Sequence, residues 1–158
     1  MFRDTGKLST LILTGLGLAL FVFSSHGFAS DHHALNGTWR LVPSRSEFAG
    51  EPMMQTGTLT ISDREHNIYI AKNYNYDGRN VTVNYQTSLD GRETSTIHEG
   101  KAVKTKAKWE GEELQVTTKE NHEVASVERY RLNPDGTLTV ISERAGHPAV
   151  TLTFERQP

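Results

Sequence analysis

The sequence contains no cysteine among its 158 residues. This absence excludes disulfide bonds, thiolate catalysis, iron–sulfur clusters, thiol-bound zinc and a lipid-modified cysteine at a processed N-terminus. Neither sign of charge dominates, and a net charge of -2 gives no broad electrostatic reason to expect nucleic acid or an anionic membrane surface as a partner. Gly-x-Ser-x-Gly, His-Glu-x-x-His and phosphate-loop motifs are also absent. We therefore predict one ordinary domain with no catalytic residues, no metal site and no cofactor.

The one long apolar run lies at the N-terminus. Arg3 and Lys7 precede an apolar segment over residues 8–23, and Gly27-Phe28-Ala29 places small residues at the two positions that a signal peptidase reads. The segment is shorter than the roughly 20 residues that a membrane span needs, although a transmembrane anchor is the alternative. We predict a signal peptide over residues 1–29 and a mature chain with no membrane span. That chain would reside in the periplasm or outside a bacterial cell.

The rest of the chain alternates strands and turns. Residues 30–36 are interpreted as a polar lead, in which Asp31-His32-His33 forms a solvated tail, and the folded domain is predicted over residues 37–158. Short alternating runs separated by turn signals are typical of an all-β sandwich or barrel. Consecutive hairpins form an up-and-down meander, and closure into an antiparallel barrel of about 8–10 strands removes the exposed edges. The strands are predicted to begin near residues 38, 57, 67, 80, 93, 101, 113, 122, 137 and 149.

Turn positions predict several strand registers. Asp77-Gly78 is a strong two-residue hairpin signal, because the type I′ turn needs positive φ at both positions. A five-residue loop is predicted over residues 133–137, and the last turn lies near Gly146-His147-Pro148. The predicted pairs are Tyr76 with Arg79, Tyr74 with Val81, Ile70 with Tyr85, Leu132 with Leu138, Tyr130 with Val140, Glu128 with Ser142, Val140 with Phe154, and Leu138 with Arg156.

Residues 44–56 form the only long interruption of the strand pattern. Ser44 followed by Glu47 is a capping-box pattern, which predicts one helical turn. A loop of this length inside a compact β-domain is often a lid over a site. An irregular plug over one end of the sheet is the alternative.

An inward-facing polar cluster is predicted next to this loop. Val124, Tyr130 and Leu132 fix the phase of their strand, and the same phase turns Glu128 inward. Arg144 lies diagonally beyond the residue opposite Glu128. An inward charge is costly unless it is paired or hydrated, so the cluster indicates either a buried structural network or a wet cavity. The predicted ligand-binding residues are Tyr74, Tyr85, Glu128, Tyr130 and Arg144.

The strand that ends at Trp109 shows a different inner face. Val103, Thr105 and Ala107 are small inner residues, which leave room inside the barrel. Trp109 itself is interpreted as a plug over the bottom of the barrel.

Gly37-Thr38-Trp39 resembles the Gly-x-Trp motif on the first strand of lipocalins and related calycin barrels. This resemblance implies that Arg156, at the end of the last strand, stacks on Trp39 and closes the barrel. The chain is also similar to a group of small secreted bacterial lipocalin-like proteins, which implies an architecture and ligand binding rather than a reaction. The matching segments are GTWRL at 37–41, SRSEF at 44–48, KWEGEEL at 108–114, RYRL at 129–132 and DGTLTV at 135–140.

About ten strands resemble the fatty-acid-binding branch of these barrels more than the eight of a lipocalin. In that branch an inward arginine and a tyrosine hold a carboxylate, and Arg144 with Tyr130 resembles this arrangement. Glu128 departs from it, because its carboxylate would already neutralise the arginine.

The sequence thus predicts an exported barrel that binds a small apolar or amphipathic molecule. One alternative is an isomerase or cyclase that uses Glu128 and Tyr130 as acid–base groups, which a strongly raised pKa of Glu128 would favour. Another is a solid-core interaction protein whose partner contacts residues 44–56, and the cavity volume tests it. A metal site assembled from His98, His122 and Glu128 is a further alternative.

Overall fold

The computed structural model describes residues 32–98 and 100–158, without the side chain of His98. The predicted signal peptide and its cleavage position after Ala29 lie outside the described residues. Within them, no helix has the length and apolar character needed to cross a membrane.

Ten antiparallel strands form one sheet that curls into a nearly closed barrel. This confirms the predicted fold class. Nine strands begin within one residue of the predicted position, whereas β2 begins three residues early because Met54 pairs with Tyr76 ahead of a register shift. The strands are β1 (Gly37–Leu41), β2 (Met54–Arg64), β3 (Asn67–Tyr76), β4 (Arg79–Ser88), β5 (Thr94–His98), β6 (Lys101–Glu110), β7 (Glu113–Glu120), β8 (Glu123–Leu132), β9 (Leu138–Arg144) and β10 (Val150–Arg156).

The barrel closes through its first and last strands but stays open between β4 and β5. The strand order is β4-β3-β2-β1-β10-β9-β8-β7-β6-β5, so β1 lies inside the sheet and pairs with both β2 and β10. No ladder pairing joins β4 to β5 in the described part of the chain. Near the C-terminal end of β4, the Thr87 hydroxyl donates to the Thr105 carbonyl of β6 at 2.9 Å and lies 3.4 Å from the Thr94 hydroxyl of β5. These side-chain contacts join β4 to the opposite edge of the sheet at the Thr87 end of the gap.

Tight turns set most registers. Asp77 and Gly78 have φ values of 50° and 77°, as a type I′ turn requires, and all ten residue pairs of the β3–β4 hairpin follow from that turn. The same geometry occurs at Glu65-His66 without glycine, with φ values of 49° and 68°. Side chains with a Cβ adopt positive φ at some cost, so this hairpin carries local strain.

Two details of the predicted pairing are wrong. In the β9–β10 hairpin, Val140 pairs with Leu152 and Leu138 with Phe154, two residues away from the predicted partners. In β8, a register shift opposite Thr118 and Lys119 reverses the alternation near the start of the strand. As a result Val124 is 48% exposed instead of facing inward.

The closed end of the barrel is filled by an apolar core around Trp39. The guanidinium carbon of Arg156 lies 4.2 Å from the Trp39 ring centroid, which confirms the predicted stacking. Arg156 also donates hydrogen bonds to the carbonyls of Ala34 and Asn36, each at 2.5 Å. A Cβ on Gly37 would lie 2.7 Å from Nη1 of Arg156, and Gly37 has a φ of 134°. The glycine of the Gly-x-Trp motif therefore leaves space for the closing arginine.

Residues 32–36 of the polar lead pack against this closed end, whereas Ser30 and Asp31 lie outside the described residues. His32–Leu35 is a 3₁₀ turn in which Leu35 is buried. The indole N–H of Trp39 donates to the Leu35 carbonyl at 2.9 Å. His32 stacks on Trp109 with ring centroids 4.2 Å apart. The predicted solvated tail is wrong for His32, whose ring packs on Trp109, whereas the side chain of His33 is 71% exposed.

The segment between β1 and β2 reaches the opposite, open end. Its helical turn is a 3₁₀ turn over Pro43–Arg45, with no side-chain cap from Ser44. Glu47 then forms an isolated bridge with Thr151. The predicted capping box is therefore wrong, because Pro43 begins the turn and Ser44 lies inside it.

Candidate functional site

A cavity of about 740 Å³ occupies the open half of the barrel. It lies next to the turns at residues 121–122 and 145–149, and residues 48–54 supply part of its wall. Its apolar and aromatic lining consists of Phe48, Pro52, Met54, Tyr74, Tyr76, Val81, Val83, Tyr85, Val103, Ala125, Val140, Ala145, Val150 and Leu152. The predicted space beside Val103 and Thr105 is present, since both residues line the cavity.

One ion pair crosses the inside of the barrel. Nζ of Lys72 lies 2.5 Å from both carboxylate oxygens of Glu128, and only 6% of the lysine side chain and 18% of the glutamate side chain are exposed. Both residues line the cavity. Alternation along β3 and β8 turns them inward, and the curvature of the sheet brings these two distant strands face to face.

Two tyrosines complete the cluster. The hydroxyl of Tyr130 donates to Oε2 of Glu128 at 2.7 Å, and that of Tyr85 does so at 3.0 Å. The two hydroxyls lie 3.1 Å apart. Nζ of Lys72 is 5.5 Å from the Tyr85 ring centroid and 5.7 Å from that of Tyr130. The carboxylate therefore receives four hydrogen-bond contacts, while the ammonium contacts two aromatic rings.

These contacts determine the protonation of the cluster. Burial raises the pKa of Glu128, but the charge and hydrogen bonds of Lys72 and the hydroxyls of Tyr130 and Tyr85 outweigh it, so the pKa falls below its ordinary value. Burial and then the charge of Glu128 raise the pKa of Tyr74, Tyr85 and Tyr130 well above the usual range. The cluster is thus an ionised pair with neutral phenols at neutral pH.

A second charged cluster lies at the mouth. Nη2 of Arg144 is 3.0 Å from Oε2 of Glu51, and Nδ1 of His147 is 2.8 Å from Oε1 of the same carboxylate. The hydrogen bond from His147 and the charge of Arg144 lower the pKa of Glu51. Glu51 belongs to the segment between β1 and β2. Its contacts with Arg144 and His147 therefore join that segment to the end of β9 and the β9–β10 turn.

The predicted pairing of Arg144 with Glu128 is wrong. Register places Arg144 two residues beyond Ser142, the partner of Glu128, and its side chain is 48% exposed at the mouth. Glu128 instead finds Lys72 on the far side of the barrel. The arginine therefore lies at the mouth and not at the centre.

Four of the five predicted ligand-binding residues share the cavity wall: Tyr74, Tyr85, Glu128 and Arg144. Tyr130 is fully buried behind the wall and reaches the cluster only through its hydroxyl. Their role in binding stays a prediction. Gly57 leaves space for the ring of Tyr74, because a Cβ there would lie 2.7 Å from that ring.

Lys72 is the residue that the sequence reasoning missed. The signal was available, because Ile70, Lys72 and Tyr74 share one face of β3. A lysine in an otherwise buried alternating face needs a partner of opposite charge. The alternation of β8 makes Glu128 an inward acid, so charge complementarity pairs it with Lys72.

Of the residues considered for a metal site, the structure describes the side chains of Glu128 and His122, and that of His98 lies outside the described residues. Glu128 is bound to Lys72, and His122 is exposed in the β7–β8 turn. Among residues 32–98 and 100–158, no group of three or more histidine, aspartate or glutamate side chains is arranged to hold a metal ion.

No protein-family model and no curated protein matches the chain. Solved structures do. The chain is similar to secretory abundant heat soluble protein 4 from Ramazzottius varieornatus, with 14% identity and a TM-score of 0.60 over 79% of this chain and 96% of that one. It is similar to the REP1-NXSQ fatty acid transporter (19% identity, TM-score 0.55, 78% and 96% covered) and to human cRBP IV (19%, 0.56, 78% and 98%). At these identities the likeness shows the fold alone, a barrel of ten antiparallel strands.

Proposed function

We propose that this protein binds a small apolar or amphipathic molecule inside the barrel, after export to the periplasm or the exterior of a bacterial cell. The observation that carries the binding proposal is the cavity of about 740 Å³, with a mostly apolar wall around one polar cluster. Ligand sites in proteins are typically about 300–1,000 Å³, apolar, and supplied with a few placed polar groups. The fold likeness to a fatty acid transporter supports the same class of ligand.

Two rival functions fit the geometry less well. A solid-core interaction protein would fill the barrel with side chains, and the cavity argues against it. An acid–base enzyme would need a raised pKa on Glu128, whereas its pKa is lowered. Tyr130, the second proposed acid–base group, is fully buried and does not line the cavity. Binding is therefore the function that the residues support best.

The export proposal rests on the charged and apolar N-terminal pattern and on Gly27-Phe28-Ala29. A binding protein outside the cytoplasm would meet a ligand of limited solubility, which a largely apolar cavity can shield from water.

A dye-binding experiment with matched variants tests the binding proposal. Val83 and Thr82 are neighbours on β4, but only Val83 lines the cavity, while Thr82 is exposed. An apolar dye that brightens in low-polarity surroundings should bind the delipidated wild type and Thr82→Trp, and it should bind Val83→Trp much more weakly. Equal dye binding by the two variants, or none by the wild type, would refute binding in the barrel.

A further inference from the structure

The charges of the cavity wall differ from those of an anion-binding site. The described lining contains two permanently basic side chains, Lys72 and Arg144, and three acidic ones, Glu51, Glu120 and Glu128. Each basic side chain already contacts a carboxylate, at 2.5 Å for Lys72 and 3.0 Å for Arg144. An entering carboxylate would therefore find no unpaired cation in this lining and would add charge to an already acidic wall.

The central pair nevertheless keeps hydrogen-bonding capacity. A carboxylate offers about four acceptor positions, and three of the four contacts to Glu128 fall on Oε2. Oε1 receives Lys72 alone and can accept one more hydrogen bond. The Lys72 ammonium carries three N–H donors, of which Glu128 uses two, so one remains.

An alcohol group can form hydrogen bonds with both the remaining acceptor position of Glu128 and the remaining N–H donor of Lys72. Its O–H can donate to the free position of Glu128, and its oxygen can accept from the third N–H of Lys72. An ester or ketone can only accept. A carboxylate can also only accept, and it would place its charge beside that of Glu128.

We infer that the cavity selects a neutral amphiphile bearing a hydroxyl head, such as a long-chain alcohol, over the corresponding carboxylate, and that the Lys72–Glu128 pair makes the selection. This inference rests on the proposed binding function and specifies the ligand class of the same site. Nearby hydroxyl side chains on the cavity wall, those of Thr118, Ser126 and Ser142, extend the neutral polar surface next to the pair.

The test compares three ligands of equal chain length on the wild-type protein at neutral pH: dodecanol, methyl dodecanoate and dodecanoate. Each is titrated against the bound dye below its aggregation limit. Dodecanol should bind most tightly and the ester less tightly, and dodecanoate should be weaker than dodecanol by about tenfold or more. Equal affinities, tighter binding of dodecanoate, or failure of dodecanol to displace a bound dye would overturn the inference.

Glu128→Gln tests whether the pair is responsible. The substitution removes the carboxylate and leaves the Lys72 ammonium without its partner, so the preference should shift from dodecanol toward dodecanoate. Glu113→Gln is the matched control, because Glu113 contacts Arg129 and does not line the cavity, and its preference should stay that of the wild type. An unchanged preference in a folded Glu128→Gln would overturn the role of the pair.

The two proposals fail in different ways. If the dye does not enter the wild type, the binding function itself is refuted, and the ligand class falls with it. If the dye binds but dodecanol and dodecanoate have equal affinities, the binding function stands and the selection of the alcohol is refuted. Circular dichroism shows whether Glu128→Gln folds, and the wild-type comparison decides the ligand class even if it does not.

Discussion

Replacement of Lys72 by methionine should leave the Glu128 carboxylate inside the barrel without its cationic partner. Removing one partner of a buried ion pair usually costs about 3–5 kcal/mol of the free energy of unfolding. The structure favours the lower end, because Tyr130 and Tyr85 still donate to the carboxylate at 2.7 and 3.0 Å. Glu128 also retains 18% side-chain exposure. We expect a loss of about 3 kcal/mol at neutral pH.

The pH dependence of this loss has a definite sign. In the wild type the pKa of Glu128 is lowered, so the pair stabilises the fold above the ordinary carboxyl pKa, and that contribution fades as the pH falls. In Lys72→Met, burial is no longer opposed by the ammonium, so the pKa should rise above its ordinary value. The variant should then lose stability as the pH rises through the raised pKa of Glu128. Both effects make the difference in free energy of unfolding between the wild type and Lys72→Met smaller at acidic pH.

Guanidinium denaturation of both proteins near neutral pH and at about pH 4 measures the loss and its pH dependence. Lys104→Met is the control, because Lys104 makes an exposed pair with Glu93 at 3.5 Å, and such pairs contribute little. A Lys72→Met variant as stable as the wild type, or a deficit that is the same at both pH values, would refute the buried pair.

Three further predictions concern closure, strain and export. Trp39→Ala should cost about 3–5 kcal/mol as a large-to-small core change, and Arg156→Ala about 1–2 kcal/mol through lost stacking and packing, both measured by denaturant unfolding; an unchanged midpoint for Trp39→Ala would contradict the core position. His66→Gly should raise stability by roughly 0.5–1 kcal/mol because glycine accepts the φ of 68° without strain, and a lower melting temperature would show that the turn is unstrained. Exported protein should begin at Ser30 by intact mass, whereas full-length chain in the membrane fraction would contradict cleavage.

Local rules predicted the barrel well, because turn chemistry and alternation act between neighbouring strands. Asp77-Gly78 fixed the β3–β4 register directly. The predicted β9–β10 register is wrong because residues 145–149 offer more than one turn position. The turn closes one residue earlier than expected, with His147 N donating to the Arg144 carbonyl at 3.1 Å. A shift of two residues in pairing preserves which side chains face inward. The predicted inward side chains of β9 and β10 are therefore unchanged by it.

The candidate site was less predictable, because its central contact is not between neighbouring strands. Lys72 and Glu128 are 56 residues apart, on strands that ladder register does not relate. Their meeting depends on how strongly the sheet curls. The adjacency of β8 and β9 predicts contact between Glu128 and Arg144, but the end of β9 places Arg144 at the mouth. Alternation shows which side chains enter a barrel, and curvature decides which of them touch.

The opening between β4 and β5 has a consequence for backbone amide exchange. Every second amide of β4 points away from β3 and has no ladder partner there. These amides should exchange hydrogen rapidly with solvent toward the open end, and more slowly near Thr87, whose hydroxyl contacts Thr94 of β5 and Thr105 of β6. Two strand edges that share few bonds can separate without breaking a ladder. Slowed exchange along β4 on ligand addition would therefore report directly on this seam of the barrel wall.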